Sequence, residues 1–224
     1  EITDIPLIEY IAAKGKPVII STGIATEADI RLAVATCRQA GNNQVALLKC
    51  TTAYPTPLEE VNLRAIPELA GCFGVVAGLS DHTMEVAVPV AATALGTCII
   101  EKHFILDRSL GGVDSSFSLD KAEFAEMVQE VRKTERALGR ADLTPSPRSR
   151  KGRRMARSLF AVAPIKAGES LSPENIRSIR PADGLHPKFL KELLGRKAKV
   201  DIAPGTPLAW DIVEGEQEGE TTSG

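Results

Sequence analysis

The sequence contains no apolar run approaching the roughly 18 residues that a membrane-spanning helix needs, and no basic segment leading into an apolar one of secretory type. A membrane partner is therefore not expected. Charge of one sign is also lacking. The formal net charge is −2, so no global field recruits nucleic acid or an anionic surface. The four cysteines, Cys37, Cys50, Cys72 and Cys98, form no Cys-x-x-Cys pair. That spacing argues against a structural zinc site and fits reduced thiols inside a cytoplasmic protein. No Walker loop and no Ser-His-Asp arrangement is present, which removes two common routes to phosphoryl and acyl chemistry.

What is present is an ordinary globular composition, 43% hydrophobic and 25% charged over 224 residues. That length holds one large domain or a medium and a small one. Apolar periodicity predicts helices over 5–14, from 25 or 26 to 39, over 58–69 (shortened by Pro67), over 84–95 (kinked by Pro89) and over 121–138. On the last of these, Phe124, Met127, Val128, Val131 and Leu138 make the inner stripe. Each of the first four is followed by a continuously apolar run, at 17–20, 45–48, 75–79 and 97–101, as in parallel strands covered on both faces. The pattern is α/β: four βα units, the second half of a TIM (β/α)8 barrel.

Four units leave two open sheet edges, and a complete barrel takes about 250 residues. The chain begins at Glu1 rather than Met. The expectation is a native protein that is longer at its N-terminus, and a fragment that is not a competent enzyme alone. Residues 140–157 are Pro-, Ser- and Arg-rich and read as a basic linker; no aromatic residues interleave with the charge, so solvation is favoured over nucleic-acid contact. Residues 158–214 read as a small β-rich domain. It carries an internal echo, Ile165-x-x-Gly168-x-x-Leu171 leading to Ile176, against Ile202-x-x-Gly205-x-x-Leu208 leading to Ile212. The acidic, Gly/Thr-rich tail 215–224 reads as disordered.

Each barrel run ends in polar residues, at Ser21-Thr22-Gly23, Lys49 to Tyr54, Ser80-Asp81-His82 and Glu101-Lys102-His103. Strand C-termini form the mouth of a parallel barrel, where active sites sit. His82 and His103 lie one βα unit apart, at the ends of neighbouring strands about 4.8 Å apart. Two imidazoles so placed can share one ion and leave positions for water and substrate. The alternative is a pair of hydrogen-bonded core histidines. Ser21, Thr22 and Ser80 supply hydroxyls for a phosphate or carboxylate, helped by the helix N-terminus after Gly23. Lys49 and Lys102 either neutralise an anion or pair with Asp81, Glu101 or Asp107. Asp114 binds sugar hydroxyls or shapes its own turn.

In order, Ser21-Thr22-Gly23, Lys49-Cys50-Thr51-Thr52-Ala53-Tyr54-Pro55, Gly78-Leu79-Ser80-Asp81-His82-Thr83 and Ile100-Glu101-Lys102-His103-Phe104 resemble the second half of the sialic acid synthase family. Residues 158–181 resemble that family's antifreeze-like (SAF) domain. The loops Lys49 to Pro55 and Gly111 to Leu119 are most similar to the subgroup that makes pseudaminic acid. N-acetylneuraminate and legionaminate synthases are the alternatives, and a non-catalytic carbohydrate-binding module is the alternative of another class. The resemblance implies a transferase that condenses phosphoenolpyruvate with an amino sugar, 2,4-diacetamido-2,4,6-trideoxy-altrose, releasing phosphate. It implies a divalent ion on His82 and His103, expected to be Mn²⁺, with Mg²⁺ or Co²⁺ as alternatives. Glu101, His82 and His103 form the expected catalytic set. Ser21, Thr22, Lys49, Thr52, Tyr54, Ser80, Asp81, Lys102, Asp114 and Arg180 form the expected substrate-binding set. Arg180 matches an arginine that reaches a partner's site, implying a domain-swapped homodimer.

Overall fold

The computed structural model describes residues 1–215, and the tail reading for 216–224 lies outside them. The chain divides into two compact units, Glu1–Arg140 and the part from Ala141 onward.

In the first unit four strands, β1 (Val18–Ser21), β2 (Val45–Cys50), β3 (Val76–Asp81) and β4 (Ile100–Lys102), form one sheet in the order β1-β2-β3-β4. Every pairing is parallel, and the curled sheet is the half-barrel that the apolar runs predict. Helices α1 (Ile5–Ala12), α2 (Glu27–Gln39), α3 (Ala65–Phe73), α4 (Ala87–Ala94) and α5 (Lys121–Leu138) complete it. Alternation divides the strands into two faces. Val18, Ile20, Val45, Leu47, Ala77 and Leu79 join helix residues such as Ile8, Val34, Ile66 and Val88 in one core. On the other face Ile19 and Val76 stay 53% and 47% exposed. On that same face Ala46 and Leu48 of β2 are buried, so among the described residues the expected cover is complete on one face and partial on the other.

Local chemistry explains the boundaries. Asp4 caps α1, its side chain accepting from Leu7 N–H. Thr26 and Asp29 make the capping box of α2, and Gly41 follows with φ 82°. The buried Asn42 amide donates to Ala12 O and Lys16 O, tying the end of α1 to the start of β2. The two prolines act differently from expectation. The stretch 58–69 is a short 3₁₀ turn at Leu58–Glu60, and then α3 starts at Ala65, with Asn62 at φ 49° between them. Pro67 and Pro89 each fall at the third position of their helix, where no amide donor is required. They therefore set helix starts instead of shortening or kinking. On α5, Met127 and Val131 are buried, but Val128 and Leu138 are 40% and 51% exposed, so the inner stripe is narrower than the periodicity implies.

Gly78 in β3 is required by close packing. A Cβ there would lie 2.5 Å from Ile99 O and 2.5 Å from Leu48 Cδ2. One of those atoms is backbone and cannot swing aside. Gly78→Ala is expected to destabilise the first unit by about 3 kcal/mol, measured as a lower urea midpoint at unchanged m-value.

The second unit pairs β5 (Ser158–Ala161) antiparallel with β6 (Ile176–Ile179). The stretch 140–157, expected as linker, contains α6 (Pro147–Gly152), started by a Ser146 cap and Pro147, and a 3₁₀ turn at Arg153–Met155. A short α7 (Leu190–Leu193) completes the unit. The internal echo is visible: Ile165 and Ile202 pair with each other, exchanging hydrogen bonds of 2.9 and 2.8 Å. Gly168 and Gly205 turn at φ 79° and 82°, and Leu171 and Leu208 are both buried.

Candidate active site

Parallel register delivers the polar residues to one edge. Ser80 lies opposite Glu101, and Asp81 opposite Lys102. His82 and His103 each follow the last paired residue of their strand, and their rings meet edge-on with centres 5.2 Å apart. Ser80, His82, Glu101, Lys102 and His103 line an open cavity of about 250 Å³.

The loop after β2 holds His82. Its Nδ1 lies 2.9 Å from Thr51 O. A carbonyl only accepts, so Nδ1 carries a proton, and the neutral ring in this tautomer has its lone pair on Nε2. Thr56 N–H donates to His82 O at 3.2 Å, and the Tyr54 ring packs on the imidazole with centres 4.3 Å apart. Thr51 is itself fixed. Its hydroxyl donates to Glu60 O and accepts from Lys49 Nζ, which also donates to Cys50 O at 2.7 Å. Burial pushes the Lys49 ammonium below the usual lysine pKa.

His103 is more open, with its side chain 31% exposed and Nδ1 3.6 Å from Asp114 Oδ2. Phe117 packs edge-on against it at 5.1 Å and lies 5.3 Å from Tyr54. Glu101 is exposed and accepts from Ser80 Oγ at 2.7 Å. The structure therefore groups His82, His103, Tyr54, Ser80, Glu101 and Asp114.

The other expected residues are placed differently. The Thr22 hydroxyl donates to Leu48 O at 3.0 Å, leaving Ser21 as the less buried hydroxyl of that loop. Thr52 is exposed, with its Oγ1 packed over Gly23 so closely that a Cβ there would collide with it. Lys49 is engaged with its own loop. Asp81 and Lys102 are buried against each other, with Nζ 2.7 Å from Oδ2. Arg180 belongs to the second unit, exposed just after β6. Sequence reasoning missed Phe117 and Thr51. An aromatic residue inside the polar stretch Ser115-Ser116-Phe117-Ser118 was the available signal for the first. The second acts through its backbone carbonyl, which leaves no signal in residue type.

Among the described residues no three His, Cys, Asp or Glu cluster as a metal site. Two imidazoles nevertheless suit an ion whose other positions go to water and substrate. Nitrogens about 2.1 Å from one ion in adjacent positions put the ring centres about 5 Å apart, close to the observed 5.2 Å. The carbonyl bond at Nδ1 of His82 is the outer-shell contact that such a ligand uses. The residues fit the ion.

Paired histidines at neighbouring strand ends, beside a serine–glutamate pair and under two aromatic rings, mark the first unit as a parallel α/β half-barrel with a polar strand-end site. The chain belongs to the NeuB family: the family model matches residues 1–142, and the SAF domain model matches 156–214. It is 45% identical to a pseudaminic acid synthase of Helicobacter pylori over 96% of this chain and 63% of that protein. It is 48% identical to the pseudaminic acid synthase of Campylobacter jejuni serotype O:23/36, over 93% of this chain and 61% of that protein. The crystal structure of the spore coat polysaccharide biosynthesis protein spsE from Bacillus subtilis matches with 39% identity and a TM-score of 0.59, covering 97% of this chain and 66% of that one. The chain thus spans somewhat less than two thirds of the two curated synthases.

Proposed function

We propose that the first unit supplies part of the active site of a pseudaminic acid synthase. The reaction joins the methylene carbon of phosphoenolpyruvate to the aldehyde carbon of open-chain 2,4-diacetamido-2,4,6-trideoxy-altrose. Water adds at the former enol carbon, and phosphate leaves by C–O cleavage. The observation that carries this reading is the meeting of His82, His103 and Tyr54 beside the Ser80–Glu101 pair.

His82 Nε2 and His103 would hold a divalent ion, Mn²⁺ by preference. When bound, it supplies a Lewis acid for the aldehyde oxygen, where negative charge develops as the carbon–carbon bond forms. The chain's own residues do the rest. Thr51 O keeps the His82 proton on Nδ1. Tyr54 and Phe117 cover the imidazoles and limit water at that side. Ser21 offers a hydroxyl donor to phosphoenolpyruvate, and Ser80 would do so on turning its proton from Glu101. Glu101 and Asp114 face the sugar from the solvent side, Asp114 beside His103.

Phosphate release by the native-length protein, offered phosphoenolpyruvate with each candidate sugar, tests the substrate. Turnover of the diacetamido-altrose is expected. Turnover of N-acetylmannosamine alone, or of the legionaminate precursor alone, would replace the reading with one of its rivals. Asp114→Ala is expected to raise KM for the sugar by about 10- to 100-fold, the loss of a charged hydrogen bond. KM for phosphoenolpyruvate should stay put, which steady-state kinetics with each substrate varied in turn would check.

A further inference from the structure

Asp81 and Lys102 stand immediately before His82 and His103, and register sets them opposite each other. Their side chains are 1% and 2% exposed and meet at 2.7 Å. Lys102 Nζ also donates to Thr83 O, and Asp81 Oδ1 accepts from Thr83 N–H at 2.9 Å. Polar contacts therefore grip the residues on both sides of His82, and the same ammonium fixes the end of the strand that carries His103.

A carboxylate and an ammonium withdrawn from water are a weak device for stability alone. Apolar residues of similar volume commonly do as well or better. What such a pair can add is register. A one-residue slip of β4 would turn His103 to the opposite face of the sheet. Lys102 borders the cavity, but with side chains only 1% and 2% exposed the pair has little surface to offer a substrate.

We propose that Asp81–Lys102 is a positioning pair, locking the ends of β3 and β4 so that the two imidazoles meet at the spacing one ion requires. This rests on the metal-holding role proposed above for His82 and His103. The ion pair would act through the histidines without touching ion or substrate.

The test uses the native-length protein and two readouts. One is Mn²⁺ affinity by calorimetry. The other is the proton–proton NOE between the His82 and His103 rings without metal. The double variant Asp81→Leu/Lys102→Met removes both charges together, which leaves no lone buried ion. Its folding is monitored by circular dichroism. It is expected to fold, to lose the ring–ring NOE and to bind Mn²⁺ about 10- to 100-fold more weakly, the size of other outer-shell effects. Wild-type affinity with the NOE intact would overturn the proposal. If the double variant does not fold, Lys102→Arg decides. Its planar fork does not reproduce the compact ammonium, so a folded protein with the NOE lost supports the pair, and an unchanged NOE and affinity overturn it. Wild-type protein that binds no Mn²⁺, with the NOE present in it and lost in the variant, would remove the metal reading and leave the positioning role standing.

Discussion

Replacing His82 with alanine is expected to lower kcat/KM of the native-length protein in the proposed reaction by on the order of 10³-fold, the scale of losing a preorganised charge stabiliser. Three observations single out this histidine over His103. It is buried, its Nδ1 is committed to Thr51 O, and Tyr54 packs on its face. Its Nε2 is thus presented in one tautomer and one orientation, so little reorganisation is needed as charge develops on the aldehyde oxygen. His103 is more open and meets Asp114 only at 3.6 Å, so its ring is held less firmly. His82→Gln, which keeps a polar side chain but no imidazole, should lose nearly as much. Steady-state phosphate release, with folding followed in parallel by circular dichroism, checks both variants. Activity within a few-fold of wild type would return the pair to the role of hydrogen-bonded core histidines.

The second large effect is on stability. Lys102→Met leaves Asp81 as a buried carboxylate whose one remaining partner among the described residues is the Thr83 amide. Removing one member of a buried pair typically costs about 3–5 kcal/mol, and that is the expected loss in a urea titration. Losing the donor to Thr83 O adds in the same direction. Asp81→Leu/Lys102→Met should recover much of the loss, because no ion is then stranded. A single variant as stable as wild type would mean that water reaches the pair, contrary to its side-chain exposures of 1% and 2%.

These two residues also show what the sequence discloses and what it withholds. The half-barrel was legible because each strand is a short apolar run that stops in polar residues, and parallel strands buried beneath helices need that composition. The meeting of His82 and His103 was legible for the same reason, since each ends its run at the equivalent place. Whether Lys102 serves an anion or pairs with Asp81 depended on register, which residue type does not report. Thr51 holds His82 through a main-chain carbonyl and left no trace. Pro67 and Pro89 were read as disruptions because a proline inside an apolar run looks the same whether a helix is starting or breaking. In the second unit the echo around Ile165 and Ile202 was readable because both copies need a glycine at positive φ, three residues before a buried leucine.

Together, His82 and His103 are proposed to hold the ion of a condensing site. Pulsed EPR of Mn²⁺ bound to the native-length protein, with histidine nitrogens labelled with ¹⁵N, tests it most directly. Couplings from two histidine nitrogens are expected in the wild type, from one in His82→Ala and from one in His103→Ala. A spectrum without histidine coupling, or one that neither substitution changes, would contradict the claim.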